Sequence, residues 1–209
     1  MISDIHPIIY LVDDDPSIRS SLSLLLESAG YDVICFKSAN DLLKYGLDSL
    51  TSGCIILDVK MPGISGIELQ KELASHDFDI PIIFITGHGD IPMSVQAIKN
   101  GAVNFLAKPF EDNELLDAID EALLRVNESL GKKSEQDQIK QKIDTLTPRE
   151  DELLRYLITG MLNKQIAYDL NISERTVKAH RKQVLIKMGI QSIAELVRLT
   201  EKAGIKPIK

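Results

Sequence analysis

The 209-residue chain is 44% hydrophobic and 26% charged, with a formal net charge of −7 at pH 7. That length suits one large domain or two ordinary ones. No apolar run approaches the roughly 20 residues of a membrane span, and the opening MISDIHP lacks the layout of a secretory leader, so a soluble, cytoplasmic chain with no membrane partner is expected.

The first part alternates short apolar runs with helical patterns. Strands are predicted at 8–12, 33–36, 54–57, 82–86 and 104–107, rich in β-branched residues and apolar on successive positions, as in strands covered on both faces. Helices are predicted between them at 17–29, 40–47, 66–75 and 93–100, with a last one at 113–124. Such alternation implies a five-stranded, doubly wound parallel sheet. Cys35 and Cys54 fall in strand runs without metal or disulfide spacing and are read as small buried apolar residues. Residues 126–144 turn polar but hold good helix formers, so a helical linker is expected, with a break near Gly131. "LTPRE" then opens a small all-α domain: Thr147 as N-cap, Pro148 at the first helical position, and Glu150 closing a capping box. Helices are predicted there at 149–160, 164–170, 174–188 and 193–203. The domains are thus 1–125 and 145–209, joined by 126–144. Charge follows the same division: residues 145–209 hold 12 Lys/Arg and 7 Asp/Glu, or +5, leaving 12 basic and 24 acidic residues, or −12, before them. The basic part suits a polyanion.

In an open α/β sheet, ligands meet the carboxyl ends of the strands. The first predicted strand ends at Asp13 and Asp14, the third at Asp58, the fourth at Thr86 and the fifth at Lys108. Three carboxylates, a hydroxyl and an ammonium therefore converge on one edge. Asp15 separates from this group: followed by Pro16, it reads as the N-cap of the first helix. Asp13, Asp14 and Asp58 would repel one another unless a hard, oxygen-seeking divalent cation neutralised them. An Asp after an apolar strand also occurs in haloacid-dehalogenase-type phosphatases, but their acid/base carboxylate two residues on is here Lys60.

"VDDD", "LDVKMPGISG", "FITGHGD" and "FLAKPF" resemble the receiver domain of two-component response regulators, most closely the FixJ-like branch. That resemblance implies that Asp58 accepts a phosphoryl group from a sensor histidine kinase. Asp13, Asp14, Asp58 and the backbone carbonyl of Lys60 would hold Mg²⁺ or Mn²⁺. Thr86 and Lys108 would take the phosphoryl oxygens, Phe105 would be the aromatic switch, and a helix face bearing Val95 and Lys99 would pair two phosphorylated copies. The implied protein is a phosphoacceptor with slow self-dephosphorylation and not an enzyme. His88, two residues past Thr86, is read as a solvent-facing loop residue.

In "NKQIAYDLNISERTVKAHRKQVLIKMGI", Asn163 and Ser173 read as N-caps of two short helices. Ile166, Ala167, Leu170, Ile172, Val177, Val184 and Met188 form an apolar set, which leaves Arg175, Lys178, Ala179 and Lys182 on the outward face of the second helix. A cationic face with a small Ala suits a recognition helix in a major groove. "LTPRE", "NKQIA", "ISERTVKAH" and "KMGIQS" resemble the LuxR/NarL-type helix-turn-helix. By that resemblance Lys178, Ala179 and Lys182 face bases, Lys164, Thr176 and His180 lie near phosphates, and the final helix pairs two copies. Leu162 departs from the small or polar residue usual before the Asn. The whole chain reads as a phosphorylation-controlled regulator of transcription acting on double-stranded promoter DNA, with RNA polymerase a further candidate partner. The alternative is a tail that binds protein or RNA.

Overall fold

The computed structural model describes residues 7–76, 80–87 and 91–208. The chain divides into two units, one up to Ser129 and one from Leu130.

The first unit runs β1 (Ile8–Val12), α1 (Pro16–Ser28), β2 (Asp32–Phe36), α2 (Ala39–Tyr45), a 3-10 turn (Leu47–Ser49), β3 (Gly53–Asp58), α3 (Gly66–Ser75), β4 (Ile82–Thr86), α4 (Ile91–Lys99), β5 (Asn104–Ala107) and the start of α5 (Asp112–Asp144). All strand pairs are parallel, in the order β2-β1-β3-β4-β5. Strand periodicity sends alternate residues to opposite faces. Ile9, Leu11, Cys54, Ile56, Ile83 and Ile85 meet Leu22 and Leu26 of α1 and Leu115 and Ile119 of α5. Tyr10, Val12, Ile55, Leu57 and Phe84 meet Leu42 of α2, Leu69 and Leu73 of α3, and Ala97 of α4. Both faces are thus covered, which is why the central strands read as continuous apolar runs. Cys54 lies in this core, but Cys35 is exposed, against expectation: β2 is an edge strand on which only Phe36 is buried.

The chain leaves β1 toward β2 and returns to β3 on the other side. That reversal opens a crevice at the carboxyl ends of β1 and β3, the place where this sheet order binds ligands.

In the second unit α6 (Pro148–Leu157), α7 (Asn163–Asp169), α8 (Glu174–Met188) and α9 (Ile193–Lys202) enclose Leu153, Leu154, Leu157, Ile166, Val177, Val184, Met188 and Leu196. Two expectations change here. Gly131 does not break α5, which is helical throughout Asp112–Asp144; one glycine costs only about 1 kcal/mol against Ala, among strong helix formers. The expected linker is not a free spacer either: Ile139 is buried in the second core, Ile143 packs beside it, and Gln136 Nε2 donates to the carbonyl of Lys202 at 2.9 Å. Among the described residues, no helix is long and apolar enough to cross a membrane.

Candidate functional site

Asp13 follows β1 directly, and its N–H still donates to Phe36 O of the neighbouring strand at 3.2 Å. Its side chain is 1% exposed. Asp58 is the last residue of β3, and as a whole residue it is 6% exposed. Thr86, also buried, closes β4. Lys108 follows β5, its N–H donating to Thr86 O at 2.7 Å, and a cis peptide bond joins it to Pro109. The Lys108 ammonium lies 2.6 Å from Asp13 Oδ2 and 3.3 Å from Asp58 Oδ1. Residues from three strand ends therefore meet in direct contact, with Thr86 at the fourth.

Asp15 behaves as predicted: its Oδ1 accepts from Ser17 N at 2.8 Å and Ile18 N at 3.4 Å, opening α1. Its own N–H donates to Asp13 Oδ1 at 2.8 Å. The acid run thus divides three ways, with Asp13 buried and bridged, Asp14 exposed, and Asp15 capping.

Burial pushes the Asp58 carboxyl above the usual carboxylate range; the Lys108 ammonium pulls it down, Asp13 pushes it further up, and the Lys60 N–H, 3.1 Å from Oδ2, pulls it down. Among the described residues, no three Asp, Glu, His or Cys side chains gather as a ready metal cluster. The expected set of Asp13, Asp14 and Asp58 is therefore brought together only in part: Lys108 bridges Asp13 and Asp58, and Asp14 is exposed. The donors nevertheless fit a hard cation. All are oxygens, and three carboxylates against one ammonium leave a deficit of two positive charges, the charge of Mg²⁺.

Gly66 opens α3 beside this site. A Cβ there would lie 2.3 Å from the carbonyl oxygen of Asp58, so only glycine permits the approach. Phe105 in β5 is half-buried, with its ring 6.1 Å from that of Phe84. It also lines a groove of about 360 Å³ with Ser94, Val95, Ile98, Lys99 and Asn104. Ile98 was not predicted, though it is three residues past Val95 on one helical face; the two are 47% and 45% exposed. His88 lies outside the described residues.

In the second unit Arg175, Lys178, Ala179 and Lys182 are exposed on α8, Lys164 is exposed on α7, and Thr176 and His180 are half-buried. Ser173 caps α8, its Oγ accepting from Thr176 N at 3.1 Å. Asn163 is not the cap expected of it. It is the first residue of α7, the N-cap position is Leu162, and Gln165 Oε1 accepts from Leu162 N at 2.8 Å. The Asn163 carboxamide is engaged elsewhere, accepting from Arg181 Nη1 of α8 at 3.2 Å. Arg181, inside the basic run, thus braces the two helices against each other. A second brace was also unforeseen: Lys187 reaches Glu150 at 2.6 Å and the carbonyl of Thr145 at 3.0 Å. The Thr147–Glu150 capping box is present.

A strand-end acid site on a doubly wound sheet, followed by a capped cationic helix-turn-helix, defines a class. The chain belongs to the two-component response regulators, with a receiver domain and a luxR-type DNA-binding domain that regulates transcription. The model of the response regulator receiver domain matches residues 9–120, and that of the bacterial regulatory proteins of the luxR family matches residues 144–200. The chain is 46% identical to nodulation protein W of Bradyrhizobium diazoefficiens, over 95% of this chain and 87% of that one. It is 45% identical to the response regulator protein TodT of Pseudomonas putida, over 96% and 88%. Among solved structures it is similar to the response regulator StyR, at 47% identity and a TM-score of 0.79 over 94% and 99% of the two chains. It also resembles full-length FixJ from B. japonicum, at 42% identity and a TM-score of 0.59 over 95% and 98%.

Proposed function

We propose that Asp58 is the phosphoacceptor and that its phosphorylation by a sensor histidine kinase in the cytoplasm controls binding to two adjacent DNA half-sites. The observation that carries this reading is the Lys108 ammonium held between Asp13 and Asp58. A buried carboxylate facing a fixed cation is a nucleophile whose charge, together with that of an incoming phosphoryl group, is already partly offset.

In the step itself, an Asp58 carboxylate oxygen forms a bond to phosphorus while the bond from phosphorus to the kinase imidazole nitrogen breaks, and that nitrogen leaves with the electron pair. The Lys108 ammonium and the Thr86 hydroxyl take the equatorial phosphoryl oxygens. Asp14, Asp58, the Lys60 carbonyl and Asp13 would hold Mg²⁺ or Mn²⁺, which supplies the positive charge that the carboxylates and phosphoryl oxygens require together. Water reaching the acyl phosphate hydrolyses it slowly and resets the protein. A shift of Thr86 toward the phosphoryl group is coupled to Phe105, and Phe105 lines the groove shared with Val95, Ile98 and Lys99. That face pairs two copies. The second units then set Arg175, Lys178, Ala179 and Lys182 of each α8 in adjacent major grooves about one helical turn apart, where α9 pairs them and RNA polymerase meets the complex.

Wild-type protein treated with acetyl phosphate and Mg²⁺ gains a phosphoryl adduct by intact mass, and Asp58→Asn gains none. An equal yield on the variant contradicts the assignment.

A further inference from the structure

The ladder of β1 ends at Asp13, whose N–H makes its last bond to a neighbouring strand. The next main-chain group, the Asp13 carbonyl, belongs to the peptide that joins Asp13 to Asp14. Its partner is Arg19, one turn into α1, whose Nη1 donates to it at 2.6 Å. Arg19 is the only basic residue of that helix and is half-buried. Asp13 is therefore fixed at its N–H by Phe36, at Oδ1 by Asp15 N, at Oδ2 by Lys108, and at its carbonyl by Arg19. A peptide unit is planar, so holding its carbonyl also sets the direction in which the chain enters Asp14. Asp14 is the exposed carboxylate of the set. Where the sheet stops ordering the backbone, Arg19 takes over with a guanidinium whose rigid fork suits it to fixing a geometry.

We infer that Arg19 is a positioning residue for the cation site: it holds the Asp13–Asp14 peptide so that Asp14 is presented for Mg²⁺, without itself touching the cation or the phosphoryl group. This rests on the proposed Mg²⁺ role of the acid pocket. The sequence marks Arg19 only as a lone cation six residues past Asp13.

Mg²⁺ is titrated calorimetrically into full-length unphosphorylated wild type, Arg19→Gln and Arg19→Lys. The Gln variant binds Mg²⁺ about ten- to a hundredfold more weakly, as loss of a ligand-orienting partner does, and the Lys variant falls between. At saturating Mg²⁺ the rate of phosphorylation by acetyl phosphate returns close to wild type in both. A lower melting temperature with unchanged Mg²⁺ affinity would make Arg19 merely structural and overturn the inference, while the wild type still bound the cation. A wild type that takes up no Mg²⁺ would overturn the cation reading and this inference with it.

Discussion

The acid pocket and the cationic helix are built in opposite ways. The pocket joins residues far apart in sequence: Lys108 is 95 positions from Asp13 and 50 from Asp58, and they meet only because a parallel sheet brings its strand ends together. Two of its carboxylates, Asp13 and Asp58, are buried against the Lys108 ammonium, so a change at one of these groups is felt by the others. The residues proposed to face DNA lie within one helix-turn-helix segment, from Lys164 to Lys182, and they are exposed except for Thr176 and His180. Groups in water interact weakly and act almost one by one. Substitutions should therefore fail all together in the pocket and by degrees on the helix.

The strongest challenge to that contrast is the core of the second unit, which is not local. Ile139 belongs to it although it lies on α5, before the luxR-family match begins. Ile139→Ala should lower the stability of that unit by about 2–5 kcal/mol, read from its melting transition in the full-length protein. A fragment beginning at Asp144 should lose both Ile139 and Ile143 and bind DNA less well than one beginning at Leu130.

On the helix itself, Lys182→Ala should relax preference at particular base pairs by about 1–3 kcal/mol. Lys164→Ala should weaken all duplexes alike and reduce the salt slope by nearly one. Titrations of both variants against matched and mismatched duplexes at several salt concentrations check this. A uniform loss for Lys182→Ala would remove it from base readout.

Within the acid run, Asp15→Ala should cost about 1 kcal/mol of stability as a lost cap and leave phosphorylation intact. Asp14→Ala should do the reverse, losing metal-dependent phosphorylation with little change in melting. The opposite pattern would reassign the two residues.

Much of this was legible because each part leaves a local mark. Asp15 before Pro16, Thr147 three residues before Glu150, and alternating apolar runs report their own conformations, and strand ends on a doubly wound sheet report where a site lies. What stayed hidden were contacts between distant or ambiguous groups. Asn163 has the chemistry of a cap, and only the neighbouring helix reveals that Arg181 has taken its carboxamide. Ile139 and Ile143 are too sparse to show a pattern, because their partners lie in α6 to α9 and not along α5. Cys35 matched a buried strand residue until the strand proved to be at the edge. The Lys187–Glu150 pair joins positions 37 apart with no motif between them.

That pair gives the smallest effect. The Lys187 ammonium and the Thr147 N–H hold the Glu150 carboxyl down to about 2. A folded-state value below the ordinary one near 4.5 means that the unfolded chain takes up the proton first as pH falls. The stabilisation is therefore present above about pH 4.5 and lost as pH falls toward 2. Melts of the wild type and Glu150→Gln should differ at pH 6 and converge in acid; a constant difference would remove the ion pair from the account.

The central claim is that the buried pocket governs the exposed helix. Affinity should be measured for one duplex with two half-sites, selected from a random pool with phosphorylated protein, using unphosphorylated, phosphorylated and Asp58→Asn full-length chains. The account predicts much tighter binding by the phosphorylated chain alone, because pairing makes the second contact intramolecular, and an Asp58→Asn protein that stays at the unphosphorylated affinity under phosphorylating conditions. Equal affinity for the phosphorylated and unphosphorylated chains would contradict it.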